Sequence, residues 1–541
     1  MTELSARHEL EKSMLDERQQ WRRHRRTTTH RHYRYFLSYV EAHQNPVPHD
    51  YAALAAEHTN VRAAINQAYH HRSWPYVHRF ARIVCRPVNG FLAVHGYWDE
   101  LQVGLQQAIE AAEHLGDQKS LISFTHNLAV VLENAGNYAG ARQLLERKIT
   151  MLEGRDEPRS VAIALHQLGS LAQSVGDDRE AERLYGESLA MNEQLGNSAV
   201  AQTLHQLGAL AQDKGRYDEA QRLYEQSLAI DRQTNNLIGI GAALHDLGNV
   251  AYLQGNYDEA QHLYQQSLDL NKELGNQALI AFNLHQLGML AEVGGHYDEA
   301  QSLYEESIAL HTKVGNPRIL GRTLHQFGTF LLKQRKIDEA VQCFERSRAI
   351  NAELGIRPML ALNLYQLGRI AQDRREYMQA QEYLQQSLDL YKVLEDRKKS
   401  ARSAHQLGRL AQEMGNLDNA NQWLQKAHDL GVESGDRVRV ARALHELGNV
   451  ALVAGDGTRA ATLYHQSLCL GQEIGDRRGI AATQGQLATL AWAEGRVDEA
   501  EQLYRQAIDL AEEAGAAKTA NQMRANLALL YENQRHEEGS H

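Results

Sequence analysis

The residues most able to do chemistry come at a fixed interval. His126, His166, His205, His245, His285, His325, Tyr365, His405 and His445 follow one another about every 40 residues, read directly from His245 to His285 to His325, and one fewer from His166 to His205. Beside each stands a polar neighbour: Asn127, Gln167, Gln206, Asp246, Gln286, Gln326, Gln366, Gln406 and Glu446. An amide offers donor and acceptor together, so a row of them can pair with an extended peptide backbone of any sequence, or brace neighbouring helices. Imidazole invites metal binding or a response to pH near 6. One ring per repeat, on helices whose axes lie roughly 8–10 Å apart, is too widely spaced for an obvious shared zinc site, which needs nitrogens at about 2 Å. No metal is expected, and protonation would add positive charge along the row.

Arginine supplies a second candidate. Arg402 and Arg409 lie seven residues apart and share a helical face, and Arg322, Arg369 and Arg442 hold matching positions on other segments. Together they could grip an acidic or phosphorylated segment through charge-assisted hydrogen bonds. Arg369 with Asp373 and Arg409 with Glu413 are also spaced for ordinary intrahelical ion pairs. Asn249 and Asn449 complete the candidate surface. Catalysis has no comparable focus, because serine, histidine and carboxylates are distributed at equal intervals. Gly186-Glu187-Ser188-Leu189-Ala190 lacks the second glycine of a nucleophile elbow, and neither HExxH nor the phosphate-cradling GxxxxGK[ST] occurs. The chain reads as a non-enzyme that needs no cofactor.

Bulk properties narrow the partner. A formal net charge of −11 argues against general affinity for nucleic acid or anionic membrane. Cys85, Cys343 and Cys469 are isolated and odd in number, which suits a reducing cytoplasm better than a disulfide framework. No run approaches a membrane span, and Glu3, Glu9, Glu11, Asp16 and Glu17 do not fit a signal peptide. The exception to the acidic balance is Gln19–Phe36, where Arg and His gather around Trp21, Tyr33, Tyr35 and Phe36. It reads either as a nucleic-acid contact or as a solvated helix with its aromatics packed on the first repeats.

The elements that position these residues repeat with them. Leu284–Ile308, LHQLGMLAEVGGHYDEAQSLYEESI, is preceded by a near copy at Leu244 and followed by another at Leu324. Such a period marks an all-α solenoid, whose units bury their apolar faces against neighbours. Turns fall at Gly96, Gly136, Gly176, Gly215, Gly255, Gly295, Arg335, Arg375, Gly415, Gly455 and Gly495; loss of glycine at two of them, with Arg397, Lys398 and Lys399 nearby, predicts altered curvature there. Small Gly288 and Ala300 let paired helices approach, and Leu284, Leu287 and Tyr304 fill between them. Asp258, Asp298 and Asp498 have capping-box spacing to Gln261, Gln301 and Glu501. Gly196 and Gly275 suit closing turns, and Asn316-Pro317 suits a cap and first turn. At the entry, Asp50 could cap a helix to about His71, Trp74-Pro75 starts another, and Pro87 ends it. The organisation expected is an N-terminal helical cap over 1–75, about eleven helix pairs over 76–517, and a capping helix with tail over 518–541, the helix ending near Gln534 and the tail running from His536 to His541.

Leu287-Gly288, Gly295, Tyr297-Asp298, Ala300 and Tyr304 resemble the tetratricopeptide repeat pattern, over roughly Gly96 to Tyr531. Leu284 replaces the usual Trp, Ser307 the usual Ala, and no regular closing Pro appears. The long GxYDEAxxLYxxSL form is similar to kinesin light chain repeats and to the arrays of STAND-class signalling ATPases, and HYRYFLSYVE, EHTNVRAAINQAYHH and FLAVHGYWDE resemble the segment that leads into those arrays. The resemblance implies a right-handed superhelix of antiparallel pairs whose concave groove binds a protein or peptide. It turns the histidine, amide and arginine rows into groove residues, with Tyr252, Leu253, Phe330, Leu332, Leu452 and Trp492 as apolar candidates or core. It also implies a second role, as sensor half to a STAND-type ATPase partner.

Overall fold

The computed structural model describes residues 29–44, 48–87, 90–196 and 199–538, and among these there are helices and turns but no strand. No described helix is long and apolar enough to cross a membrane. The chain divides into two compact units, Met1–Leu270 and Asn271–His541. Each is built of helix pairs, and the pair Gln277–Val293 and Tyr297–Val314 serves as the pattern.

Packing inside a pair explains why the same residues recur. Ala300 and Tyr304 are completely buried. A Cβ on Gly248 would meet the Tyr264 ring at 2.7 Å, so there the missing side chain is the space the aromatic fills, whereas one on Gly288 would make ordinary contact with Tyr304 at 3.4 Å. Ser307 is not a weak substitute for alanine: its hydroxyl donates to the Ala281 carbonyl at 2.7 Å. The same bond links Ser188 to Ala162, Ser227 to Ala201, Ser347 to Gly321 and Ser467 to Ala441. Buried hydroxyls need a partner, and the second lone pair of a helix carbonyl supplies one.

Turns and caps follow backbone chemistry. Gly295 has φ 79°, and Arg335 and Arg375 hold the same left-handed conformation at 61° and 63°. Arg335 N–H bonds the Leu332 carbonyl and Lys336 N–H that of Leu331, repeating the pattern of Gly295 with Glu292 and His296 with Ala291. At the two arginines the local turn keeps its geometry although glycine is lost, and the backbone carries the strain. Asp298 and Asp498 are not caps. Their helices start at Tyr297 and Val497, which puts the carboxylates in the first turn, where they face the positive helix end; Asp258 sits likewise after Tyr257. Side-chain caps sit instead at Asn236, Asn276, Asn316, Asp396, Asp436 and Asp476, each accepting from the N–H three residues on.

The entry is less regular. Two helices, Pro48–Ala56 and His58–His70, replace the single one expected, and Asp50 is buried inside the first. The break falls where His58 stacks on Tyr97 at 4.2 Å and pairs with Glu100 at 2.8 Å, which ties the second helix to the next pair. Trp74–Val84 starts with proline in its first turn and ends before Pro87. Tyr33 and Phe36 are buried, with Tyr33 against Tyr76 at 4.9 Å and its hydroxyl on Ser73. Residues 19–28 of the basic run lie outside the described residues. The last helix, Ala517–Glu538, takes in the first residues of the expected tail, and 539–541 lie outside the described residues.

Candidate functional site: an arginine-lined cavity

Within the second unit, the first helices Arg357–Asp373, Arg397–Glu413, Arg437–Val453 and Arg477–Ala493 follow one another in register. They surround an open cavity of about 600 Å³. Its lining brings together Tyr365, Arg369, Arg402, His405, Gln406, Arg409, Arg442 and His445 from the residues read in sequence, and adds Arg439 and Arg478. Six arginines there face two carboxylates, Glu446 and Asp476.

A change on the second helices makes the room. Four residues beyond the packing serine, earlier copies carry Asn192, Asp231, Asn271, His311, Asn351 and Tyr391, all buried. The next two copies carry Gly431 and Gly471, and Gly471 lines the cavity. That side-chain deletion was the signal in the sequence for a pocket at this place. Arg439 and Arg478 stand in the first turns of their helices, six and seven residues before the histidine positions, and were not among the residues read in sequence.

The guanidiniums are held in different ways. Arg402 lies over the Tyr365 ring at 4.1 Å and Arg369 at 6.0 Å, both within cation–π range. Arg442 reaches Asp476, and Arg409 reaches Glu446, both at 3.9 Å. Arg478 Nε donates to the Ala514 carbonyl. The ion pair of Arg409 with Glu413 does not form, since Glu413 accepts from Gln372 instead; Arg369 donates to Gln366 at 3.5 Å. Arg439 Nε is buried without an acceptor. Burial lowers the Arg439 pKa, and Arg442 and Arg402 push the same way against Tyr365 and Asp436.

The histidine row is mostly packing. His205 lies on Tyr224 at 5.2 Å, His245 on Tyr264 at 5.5 Å, His285 on Tyr304 at 5.6 Å, His325 on Phe344 at 5.4 Å and His445 on Tyr464 at 5.8 Å. His205 also pairs with Asp246 at 3.2 Å, and His325 Nδ1 bonds the Asn363 side-chain oxygen at 2.8 Å. The Thr483 hydroxyl donates to Gly479, so it accepts from His445 Nδ1. Burial lowers the pKa values of His166, His325, His405 and His445; for His405 the nearby Arg439, Arg409 and Arg442 add to burial and Glu446 opposes it. Burial therefore works against protonation at these positions, opposite to the expected pH response of the row.

The amides divide. Gln406 is buried and donates to Gln372, which donates to Glu413, a brace between adjacent first helices. Gln206, Gln286, Gln326 and Gln366 are half-buried. Asn249 and Asn449 each accept from the hydroxyl of their own pair's tyrosine, Tyr264 or Tyr464, at 2.8 Å. Arg322 is exposed, with its guanidinium 5.9 Å from the Phe282 ring. Phe330 is fully buried core. Among the described residues no group of three or more His, Cys, Asp or Glu is placed to share a metal ion.

The tetratricopeptide repeat pattern matches seven stretches: 120–194, 160–233, 199–273, 239–313, 279–353, 359–430 and 439–513. The chain belongs to the tetratricopeptide repeat family. Among curated proteins, none matches it significantly. Solved structures similar to it include BtubC (BKLC) from P. vanneervenii, at 21% identity and TM-score 0.34, covering 41% of this chain and 90% of that one. A STAND signal-transduction ATPase with a tetratricopeptide repeat sensor from Pyrococcus horikoshii is 12% identical with TM-score 0.48, covering 60% of this chain and 52% of that one. Putative kinesin light chain repeats from Podosopora anserina are 25% identical with TM-score 0.30, covering 36% of this chain and 95% of that one. The arginines that line the cavity lie on first helices of these tetratricopeptide repeats.

Proposed function

We propose that this tetratricopeptide repeat protein binds an extended acidic segment of a protein or peptide partner, whose carboxylates enter the arginine-lined cavity of residues 271–541. One observation carries the reading: six arginines converge on a cavity with two carboxylates, in a chain whose net charge is −11. Positive charge concentrated against that balance repels itself and favours an anion. Arg402 held on Tyr365 is pre-oriented, so little rotamer freedom is lost on binding. Half-buried Gln366 offers a further polar contact beside it, whereas Gln406 is already committed to the brace.

The test is fluorescence anisotropy with a labelled peptide of alternating Glu and Ala. Arg402→Glu combined with Arg442→Glu should weaken it at least about tenfold, the scale of losing charge-assisted hydrogen bonds, while helical circular dichroism stays unchanged. Equal affinity in the wild type and the double variant contradicts the reading.

A further inference from the structure

The cavity is not equally supplied with partners for its cations. Arg402 rests on Tyr365, Arg442 and Arg409 reach Asp476 and Glu446, and Arg478 bonds the Ala514 carbonyl. Arg439 differs: its Nε is buried and has no acceptor, although its backbone N–H is taken by the Asp436 cap. Leaving a charged donor buried and unmet is costly, more so than for a neutral one. His405, buried in the same lining, also has Nε2 without a partner.

We propose that this cavity is a phosphoryl pocket, which takes the phosphate of a phosphorylated side chain on the bound segment with Arg439 as its inner anchor. The inference rests on the reading that this face binds a peptide segment, and it names the group that enters. Charge and shape both favour phosphate over a single carboxylate. Two carboxylates leave most of the charge of six arginines uncompensated, and a phosphate ester carries about −1.5 to −2 at neutral pH with three acceptor oxygens. The arginines come from four first helices that follow one another in register, so that several guanidiniums can meet the oxygens of one tetrahedral acceptor; a planar carboxylate is satisfied by one fork. Arg402 is held over the Tyr365 ring, 4.1 Å from its centroid, at the cavity lining. At about 600 Å³ the cavity has room for the group and the side chain that delivers it.

Isothermal titration of the full chain at neutral pH tests this with four probes: an alanine-rich peptide bearing one phosphoserine, the same peptide with Glu there, the same with Ser, and inorganic phosphate. The phosphopeptide should bind about tenfold or more tighter than the Glu peptide, and inorganic phosphate more weakly than the phosphopeptide. Arg439→Lys, which keeps the charge and removes the fork, should close most of that gap with an unchanged circular dichroism spectrum. A gap that persists in Arg439→Lys overturns Arg439 as anchor. Equal binding of phosphopeptide and Glu peptide, both weakened by Arg402→Glu with Arg442→Glu, overturns the phosphoryl pocket and leaves the acidic-segment reading standing. Peptide binding insensitive to that double variant overturns both. Inorganic phosphate as tight as the phosphopeptide overturns the peptide source and assigns the site to free phosphate.

Discussion

His311 lies in the second helix Tyr297–Val314 with 1% of its surface exposed and neither ring nitrogen bonded. Burial, helped by the nearby Arg322, pushes its pKa down to about 4. Above about pH 6.5 the ring is neutral whether folded or not. As pH falls below that value, the unfolded chain takes up a proton that the fold refuses until about 4, so stability is lost through this window, on the order of 2 kcal/mol by pH 5. Asn271 and Asn351 hold the matching position in neighbouring copies. His311→Asn should reduce the drop in urea midpoint between pH 7.5 and 5; an equal drop in both proteins contradicts the assignment. The ring contacts of the histidine row were less legible than their spacing. A helical wheel separates His285 from Leu284, but it cannot show that Tyr304, nineteen residues on, crosses over Gly288 to meet the imidazole.

At the scale of the helix pair, close approach is set by one atom. A Cβ on Gly408 would stand 2.6 Å from Leu424 Cγ, whereas one on Gly288 would stand 3.4 Å from the Tyr304 ring. Gly408→Ala should destabilise the protein by about 1–3 kcal/mol through overpacking. Gly288→Ala should be near neutral or stabilising by up to about 1 kcal/mol, because alanine favours the helix. Thermal denaturation of the two variants decides it, and equal loss in both contradicts the packing account. Pair boundaries were legible because the 40-residue interval repeats its own turn residues. The cap at Asn316 before Pro317 was legible too, but the caps of second helices were not, since the left-handed residue at Gly295 or Arg335 shifts the cap to the residue after it, and Asp298 in the first turn imitates capping-box spacing.

Across the molecule, composition and site point in opposite directions. A net charge of −11 conceals a cavity where arginine outnumbers carboxylate, because the residues that form it are drawn from successive repeats. Sequence showed Arg369, Arg402, Arg409 and Arg442 on first helices; it did not show Arg439, which stands in the first turn of its helix, six residues before His445. The row as a whole therefore divides by unit. In the first, His205 faces Asp246; in the second, His325 meets Asn363, and from Tyr365 onward the same register opens into cations. The most direct measurement is photo-crosslinking of the full chain with a glutamate-rich peptide carrying a photoreactive residue, followed by mass spectrometry of the labelled fragments. Labels should fall in Arg357–Asp373, Arg397–Glu413, Arg437–Val453 and Arg477–Ala493, and labels concentrated in residues 1–270 or on the second helices of the pairs would contradict the account.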